Sequence, residues 1–112
     1  MSGSLLVVDD DEDVRDATSA LMTRNGWDVT AVGSGAEALA YLAHVAPDLV
    51  LLDLHMDDMN GWEVLTELKS SPRLKRVKVV VVTGSTAKVS PPTIVLRKPV
   101  KLEQILEAIN RQ

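Results

Sequence analysis

Short apolar runs alternate along the chain with segments whose apolar residues recur at helical spacing. Runs rich in Val, Ile and Leu occupy residues 5–8, 49–52, 77–82 and 94–96, with Lys78 the one polar residue among them. Runs without alternation are typical of parallel strands that helices cover on both faces. A fifth run, Asp28–Val32, alternates apolar and polar residues, which favours a place near the edge of the sheet.

The segments between these runs predict amphipathic helices, because their apolar residues recur every three or four positions. The first helix is expected to end at Asn25-Gly26, a frequent C-cap pair. Ser34 with Glu37 matches a capping box at the start of the second helix, which should run to Pro47. The residues that share one face of each helix are Val14, Ala17, Thr18, Leu21 and Met22, then Leu39, Leu42, Ala43 and Ala46.

Two more helices complete an alternating order of strands and helices. Asn60 and Glu63 repeat the capping signal, and a final stripe follows after residue 101. This order predicts an α/β protein with a doubly wound, five-stranded parallel sheet. Between the fourth and fifth strands lies GSTAKVSPP, residues 84–92, which is shorter than the ~10–12 residues that a helical crossover needs. Because it also ends in two prolines, we expect the fourth helix to be short or absent. The apolar residues of the third and last helices are Val64, Leu65 and Leu68, then Leu102, Ile105, Leu106 and Ile109.

Length, charge and cysteine content narrow the class of protein. A length of 112 residues suits one domain, expected over residues 1–112. The formal net charge of −4 argues against direct nucleic-acid binding, and the absence of cysteine removes disulfides, thiolate metal sites and thiol catalysis. No apolar run approaches the ~18 residues that span a bilayer, and the first residues show no signal-peptide pattern. We therefore expect a cytoplasmic protein without membrane contact.

Carboxylates stand where the predicted strands end. Asp9 and Asp10 follow the first strand, Asp53 follows the third, Thr83 ends the fourth and Lys98 follows the fifth. Ligands of open parallel sheets bind outside the carboxyl ends of the strands. If strands one and three are neighbours, three carboxylates meet there and repel one another unless a cation binds. Oxygen donors without His or Cys suit Mg²⁺.

The same residues suit a phosphoryl group. A metal ion and the Lys98 ammonium would neutralise phosphoryl oxygens, Thr83 would offer a hydroxyl, and a carboxylate would attack phosphorus in line. An aspartate nucleophile gives an acyl phosphate, a labile anhydride that suits a temporary signal.

Four stretches in this order resemble the receiver domain of bacterial response regulators. They are LLVVDDDED, PDLVLLDLHMDDMNGWEVL, VVVVTGS and LRKPVKLEQILEAI, and the resemblance runs from about residue 5 to residue 109. It implies the flavodoxin-like receiver fold and a place in a two-component His-Asp phosphorelay. It also implies partners: a sensor histidine kinase or a phosphotransfer protein, whose phosphohistidine donates the phosphoryl group.

The resemblance implies a role for each matching residue. Asp9 and Asp10 correspond to the acid pair that binds Mg²⁺, and Asp53 corresponds to the phosphoacceptor, which is also a metal ligand. His55 corresponds to the position whose backbone carbonyl binds the metal. The resemblance makes Thr83 the switch hydroxyl and Lys98 the partner of the phosphoryl group. Such a domain catalyses its own phosphorylation and autodephosphorylation, and it is a signalling module, not a turnover enzyme.

Three features depart from the usual receiver pattern. Asp57 stands where such loops usually carry proline, and Val95 stands where an aromatic residue is common. The third is the shortened crossover at residues 84–92, a region that many relatives use to dimerise or to dock partners. These departures predict an atypical output face.

Other interpretations of the same residues stay open at this stage. A phosphorylation-independent interaction module would keep the fold, and Val95 and the short crossover favour it. An aspartate-nucleophile phosphohydrolase usually carries a DxD pattern after the strand, but the second acidic position, residue 55, is His here. Asp53 could form only a salt bridge with Lys98, and Asp9 or Asp10 could cap the first helix. The next three acids, residues 11–13, favour a first helical turn over metal ligands.

Overall fold

The computed structural model describes residues 3–54, 61–83, 94–97 and 101–110, with the side chain of Leu102 excepted. All five predicted strands are present, and their limits differ from the predicted ones by at most one residue. Among the described residues four α-helices and one short 3-10 turn, Pro72–Leu74, accompany them. In chain order the strands and α-helices are β1 Ser4–Val8, α1 Glu12–Arg24, β2 Asp28–Val32, α2 Gly35–Leu42, β3 Leu49–Leu52, α3 Gly61–Ser70, β4 Lys78–Thr83, β5 Ile94–Arg97 and α4 Leu102–Asn110.

The five strands form one parallel sheet in the order β2-β1-β3-β4-β5. The prediction that Asp28–Val32 lies at an edge is confirmed, because β2 pairs only with β1 in this order. Val8 of β1 stands opposite Leu52 of β3, and Leu52 stands opposite Val81 of β4. The carboxyl ends of the three central strands therefore open at the same edge of the sheet.

Helices cover both faces of the sheet, as the continuous apolar strands predict. On one face, α2 and α3 pack on residues such as Val8 and Leu52. On the other face, α1 and α4 pack on residues such as Val7 and Leu51. Neighbouring residues of one strand thus belong to opposite cores, which explains why these strands show no alternation of apolar and polar residues. The doubly wound α/β fold is confirmed.

The predicted helix ends are right for α1 and wrong for α2. Helix α1 ends in the C-cap Asn25, followed by Gly26 with φ 90°, the left-handed conformation that glycine adopts most readily. Helix α2 starts with the N-cap Ser34 as predicted but ends at Leu42, with Ala43 as its C-cap. The expected extension to Pro47 is wrong, and Ala43 and Ala46 are exposed.

The predicted crossover without a full helix concerns residues 84–92, which lie outside the described residues, so it stays a prediction. Among the described residues, no helix is both long enough and apolar enough to span a membrane.

Candidate metal centre

Two acids occupy equivalent places at the ends of neighbouring strands. Asp9 follows Val8 of β1, and Asp53 follows Leu52 of β3. The Asp53 backbone N–H donates to the Val8 carbonyl at 2.9 Å, and the Asp9 backbone N–H donates to the Val32 carbonyl at 3.2 Å. Each acid therefore continues the hydrogen-bond ladder of the sheet, which fixes its backbone before any ligand binds.

Asp10 joins these two acids in one cluster. One carboxylate oxygen from each of Asp9, Asp10 and Asp53 lies within 4.8 Å of the others. Asp9 and Asp53 are 6% and 3% exposed, whereas Asp10 is open to solvent. Three carboxylates this close repel one another, and their hard oxygen donors suit a cation such as Mg²⁺, which keeps several waters among its ligands. The predicted convergence of the three acids is therefore found.

The remaining acids of the run, residues 11–13, form the start of helix α1. The Asp11 side chain accepts hydrogen bonds from the backbone N–H groups of Asp13 at 3.0 Å and Val14 at 3.1 Å. Asp11 is thus the N-cap of α1, and Glu12 and Asp13 form its acidic first turn. The alternative that Asp9 or Asp10 caps this helix is wrong, because the helix begins after Asp11.

Thr83 ends β4, the strand next to β3. Its side chain is fully buried, and its Cα pairs with that of Arg97, the last residue of β5. Since β4 lies next to β3 in the sheet, the hydroxyl-bearing residue and Asp53 stand at the ends of adjacent strands. Lys98, His55 and Asp57 lie outside the described residues, and their predicted roles stay predictions.

Gly61 brings the start of α3 against the backbone that carries Asp53. A Cβ atom at Gly61 would lie 2.9 Å from the Asp53 carbonyl oxygen and 2.9 Å from Leu54 Cα. Both neighbours are backbone atoms, so a side chain at this position would force a main-chain shift. Trp62, the next residue, is 39% exposed at the helix start.

Arg15 is a residue near the site that the sequence patterns did not single out. It lies on α1, and its Nη1 donates to the Asp9 carbonyl at 3.0 Å. The only sequence signal is a basic residue six positions after Asp9, behind a run of acids. Such a cation could equally point into solvent, so the pattern alone could not assign the contact.

An apolar cleft leads to the buried acids. It has a volume of about 550 Å³ and is lined by α1, by the central strands and by Ile105 of α4. The predicted apolar face of α1 borders this cleft, so Val14 is 36% exposed, whereas Met22 is fully buried. The residues that line the cleft are Val7, Val8, Asp9, Val14, Ala17, Thr18, Leu21, Leu51, Asp53, Val82 and Ile105.

Comparison with known proteins places this geometry in a family. Residues 5–110 match the response regulator receiver domain. The response regulator protein VraR of Staphylococcus aureus is 41% identical over 87 residues, which are 75% of this chain and 40% of VraR. The DNA-binding response regulator MtrA of Mycolicibacterium smegmatis is 35% identical over 86 residues, which are 77% of this chain and 36% of MtrA. The chain thus spans about two fifths of the length of these curated relatives.

A solved structure extends the similarity to the whole fold. The chemotaxis response regulator CheY4 of Vibrio cholerae has a TM-score of 0.85 and 25% sequence identity. The superposition covers 99% of this chain and 98% of CheY4. With the receiver-domain match over residues 5–110, this similarity shows that the chain belongs to the response regulator receiver domain family, the signalling domains of two-component systems.

Proposed function

We propose that residues 1–112 form a single receiver domain in which Asp53 is phosphorylated in a Mg²⁺-dependent reaction. The observation that carries this proposal is the cluster of Asp9, Asp10 and Asp53, with carboxylate oxygens within 4.8 Å of one another. Buried Thr83 at the end of the adjacent strand supports the same assignment. The donor would be a phosphohistidine on a sensor histidine kinase or a phosphotransfer protein.

The chemistry follows from the arrangement of the acids. A carboxylate oxygen of Asp53 attacks the phosphorus atom, the bond from phosphorus to the donor nitrogen breaks, and Asp53 carries an acyl phosphate. Asp9, Asp10, Asp53 and the His55 carbonyl would hold Mg²⁺, which would supply positive charge that offsets the phosphoryl oxygens. Thr83 donates its hydroxyl to a phosphoryl oxygen, and Lys98 pairs with another.

Hydrolysis of the acyl phosphate removes the modification and ends the signal. A water molecule attacks phosphorus, the bond to the Asp53 oxygen breaks, and inorganic phosphate leaves while the carboxylate is restored. One donor molecule is consumed for each activated domain, so the reaction serves signalling and not turnover of a metabolite.

Val95 supports an atypical output face. It is half-buried in β5, pairs with Val81, and packs against the core that α2 and α3 cover. A β-branched side chain has few accessible rotamers, so it cannot swing as an aromatic ring can. The response to phosphorylation must therefore pass through backbone changes near Thr83 more than through rotation at position 95.

The proposed output partner is a protein and not nucleic acid. The formal net charge of −4 leaves little electrostatic attraction to phosphate backbones. The name of MtrA describes that protein as DNA-binding, but the similarity covers only 36% of its length.

Phosphorylation by a small donor tests the proposal. The wild-type domain is incubated with acetyl phosphate and MgCl₂, and its intact mass is measured. We expect a single phosphoryl adduct on the wild type, none on Asp53→Asn, and none on the wild type when EDTA replaces MgCl₂. Asp28→Asn is the matched control, because Asp28 is an exposed acid at the start of β2, and it should keep the adduct.

Absence of the adduct from the wild type with acetyl phosphate and with a phosphorylated histidine kinase would overturn the proposal. The phosphorylation-independent interaction module would then replace it. Sustained hydrolysis of small phosphate esters would instead favour the phosphohydrolase.

A further inference from the structure

We infer that Arg15 is a positioning residue for the metal centre and that Gly33 leaves the space that Arg15 needs. This inference rests on the proposed function, because it assigns Arg15 a task in Mg²⁺ binding by Asp9. Neither residue is a metal ligand here. Their effect passes through the backbone and orientation of Asp9.

Three hydrogen bonds to described residues restrain Asp9. Its backbone N–H donates to Val32 of β2 at 3.2 Å, and its Oδ1 accepts from the Asp11 N–H at 3.0 Å. The third contact is the one from Arg15, whose Nη1 donates to the Asp9 carbonyl at 3.0 Å. Arg15 is the only one of these three partners that acts through a side chain, so it can be removed without changing the chain path.

Gly33 marks the place that the Arg15 guanidinium occupies. A Cβ atom at Gly33 would lie 2.6 Å from Arg15 Nη1 and 3.5 Å from Arg15 Cζ. Both atoms belong to the far end of a flexible side chain, so the guanidinium and not the main chain would give way. Gly33 is not among the described glycines with positive φ, so the need for glycine here is steric and not conformational.

The contact matters because a metal ligand that is held in place binds more tightly. The hydrogen bond from Arg15 restrains the peptide group that follows the Asp9 Cα, and the Asp9 side chain on that Cα is only 6% exposed. Outer-shell partners of metal ligands typically contribute about 10–100-fold to metal affinity. We expect Arg15→Met to weaken Mg²⁺ binding by about 10-fold.

The sign of the change separates positioning from simple charge. Arg15 is a cation near a cation site, so its charge alone disfavours Mg²⁺, and removing that charge would strengthen binding. Positioning predicts the opposite, namely weaker binding in Arg15→Met. Gly33→Ala keeps the charge but displaces the guanidinium, so it should also weaken binding.

The test is a titration of the ¹⁵N-labelled full chain with MgCl₂, followed by NMR through the backbone amides of Asp10 and Asp11. Wild type, Arg15→Met, Gly33→Ala and the double variant are compared, and each spectrum also shows whether the fold is kept. Arg24→Met is the matched control, because Arg24 is an exposed arginine in the last turn of the same helix. It should bind Mg²⁺ as the wild type does.

Three results together support the inference. Both single variants bind Mg²⁺ more weakly, and the double variant is no weaker than Arg15→Met, because both changes break one contact. The Mg²⁺ concentration for half-maximal phosphorylation by acetyl phosphate also rises in Arg15→Met, while the rate at saturating Mg²⁺ is kept. Unchanged or tighter binding by Arg15→Met, or additive losses in the double variant, overturns the inference while the proposed function stands. A wild type that binds no Mg²⁺ overturns both.

Discussion

Gly61 sets how closely the start of α3 approaches Asp53. A Cβ atom added at Gly61 would lie only 2.9 Å from two backbone atoms, one of residue 53 and one of residue 54. Gly33 has a different neighbour, the terminal Nη1 of the long Arg15 side chain, at a comparable 2.6 Å. Two glycines with similar crowding therefore differ in what must move when a methyl group is added.

We expect Gly61→Ala to lower the free energy of unfolding by about 1–3 kcal/mol, because the clash can be relieved only by a backbone shift. In a helix without that contact, alanine would instead be the more stable residue by up to about 1 kcal/mol. Urea unfolding followed by circular dichroism measures the change. Gly33→Ala is the matched comparison and should lose clearly less stability than Gly61→Ala. Equal losses, or a more stable Gly61→Ala, would contradict this account.

At the level of secondary structure, the acidic run at residues 9–13 divides between a strand end and a helix start. Asp9 and Asp10 belong to the carboxyl end of β1, whereas Asp11 caps α1 through the N–H groups of Asp13 and Val14. The sequence predicted that this run contains both metal ligands and the start of a helix. It could not show at which residue the metal ligands end and the helix start begins. That boundary depends on the residue at which the chain leaves the sheet.

Substitution of Asp11 tests this division. Asp11→Ala removes an N-cap, so we expect the free energy of unfolding to fall by about 1 kcal/mol, while the affinity for Mg²⁺ changes little. Urea unfolding and a MgCl₂ titration measure the two effects separately. Asp11→Asn is the control, because an asparagine side chain also caps helices well and should retain most of the stability. A large loss of Mg²⁺ affinity in Asp11→Asn would place Asp11 among the metal ligands instead.

The end of α2 shows why a helix limit can escape a sequence pattern. The apolar stripe predicted a helix up to Pro47, but α2 ends at Leu42. The Leu42 carbonyl accepts a hydrogen bond from Arg73, which follows α3 in the chain by only a few residues. A carbonyl that is satisfied by a distant arginine needs no further helical turn, and no local pattern shows such a contact.

We expect phosphorylation to change the structure first at the ends of the paired strands β4 and β5. Thr83 is buried at the end of β4, and its partner in the adjacent strand is Arg97. We expect beryllofluoride with MgCl₂ to slow amide hydrogen exchange in residues 80–83 and 94–97, because a new hydrogen bond to Thr83 would restrain both strand ends. Mass spectrometry of peptic fragments measures this protection. Thr83→Ala should remove the effect, and unchanged exchange in the wild type would contradict the proposed role of Thr83.

For the whole molecule, the sequence was sufficient to predict the architecture because its strongest patterns are global ones. Continuous apolar strands, helical stripes between them and acids at the strand ends all require a sheet covered on both faces. The sequence analysis assumed that β1 and β3 are neighbours and did not predict it. Strands that are far apart in the chain pair without leaving a local sequence pattern. The contact between Arg15 and Asp9 was out of reach for a similar reason, since it depends on the placement of α1 over the sheet.

The central position of the acid cluster links metal binding to the stability of the whole domain. Asp9 and Asp53 follow the adjacent strands β1 and β3, which have neighbours on both sides, so a metal ion between them would hold the middle of the sheet together. Without metal, the same three acids repel one another within 4.8 Å. A bound metal ion should therefore stabilise the wild-type fold. Removal of one of the three acids should stabilise the metal-free fold and weaken the stabilisation by metal.

We expect Asp10→Asn to be more stable than the wild type in EDTA, by on the order of 1 kcal/mol, because one of the three repelling charges is gone. With MgCl₂ at roughly ten times the dissociation constant, the wild type should gain about 1.4 kcal/mol, while the variant, which lacks a ligand charge, should gain much less. Urea unfolding in the two buffers measures all four free energies of unfolding. Asp28→Asn, an acid at the start of the edge strand, should respond to MgCl₂ as the wild type does. An equal gain in Asp10→Asn and the wild type would separate Asp10 from the metal site, and a less stable variant in EDTA would show that the three acids do not strain the metal-free fold.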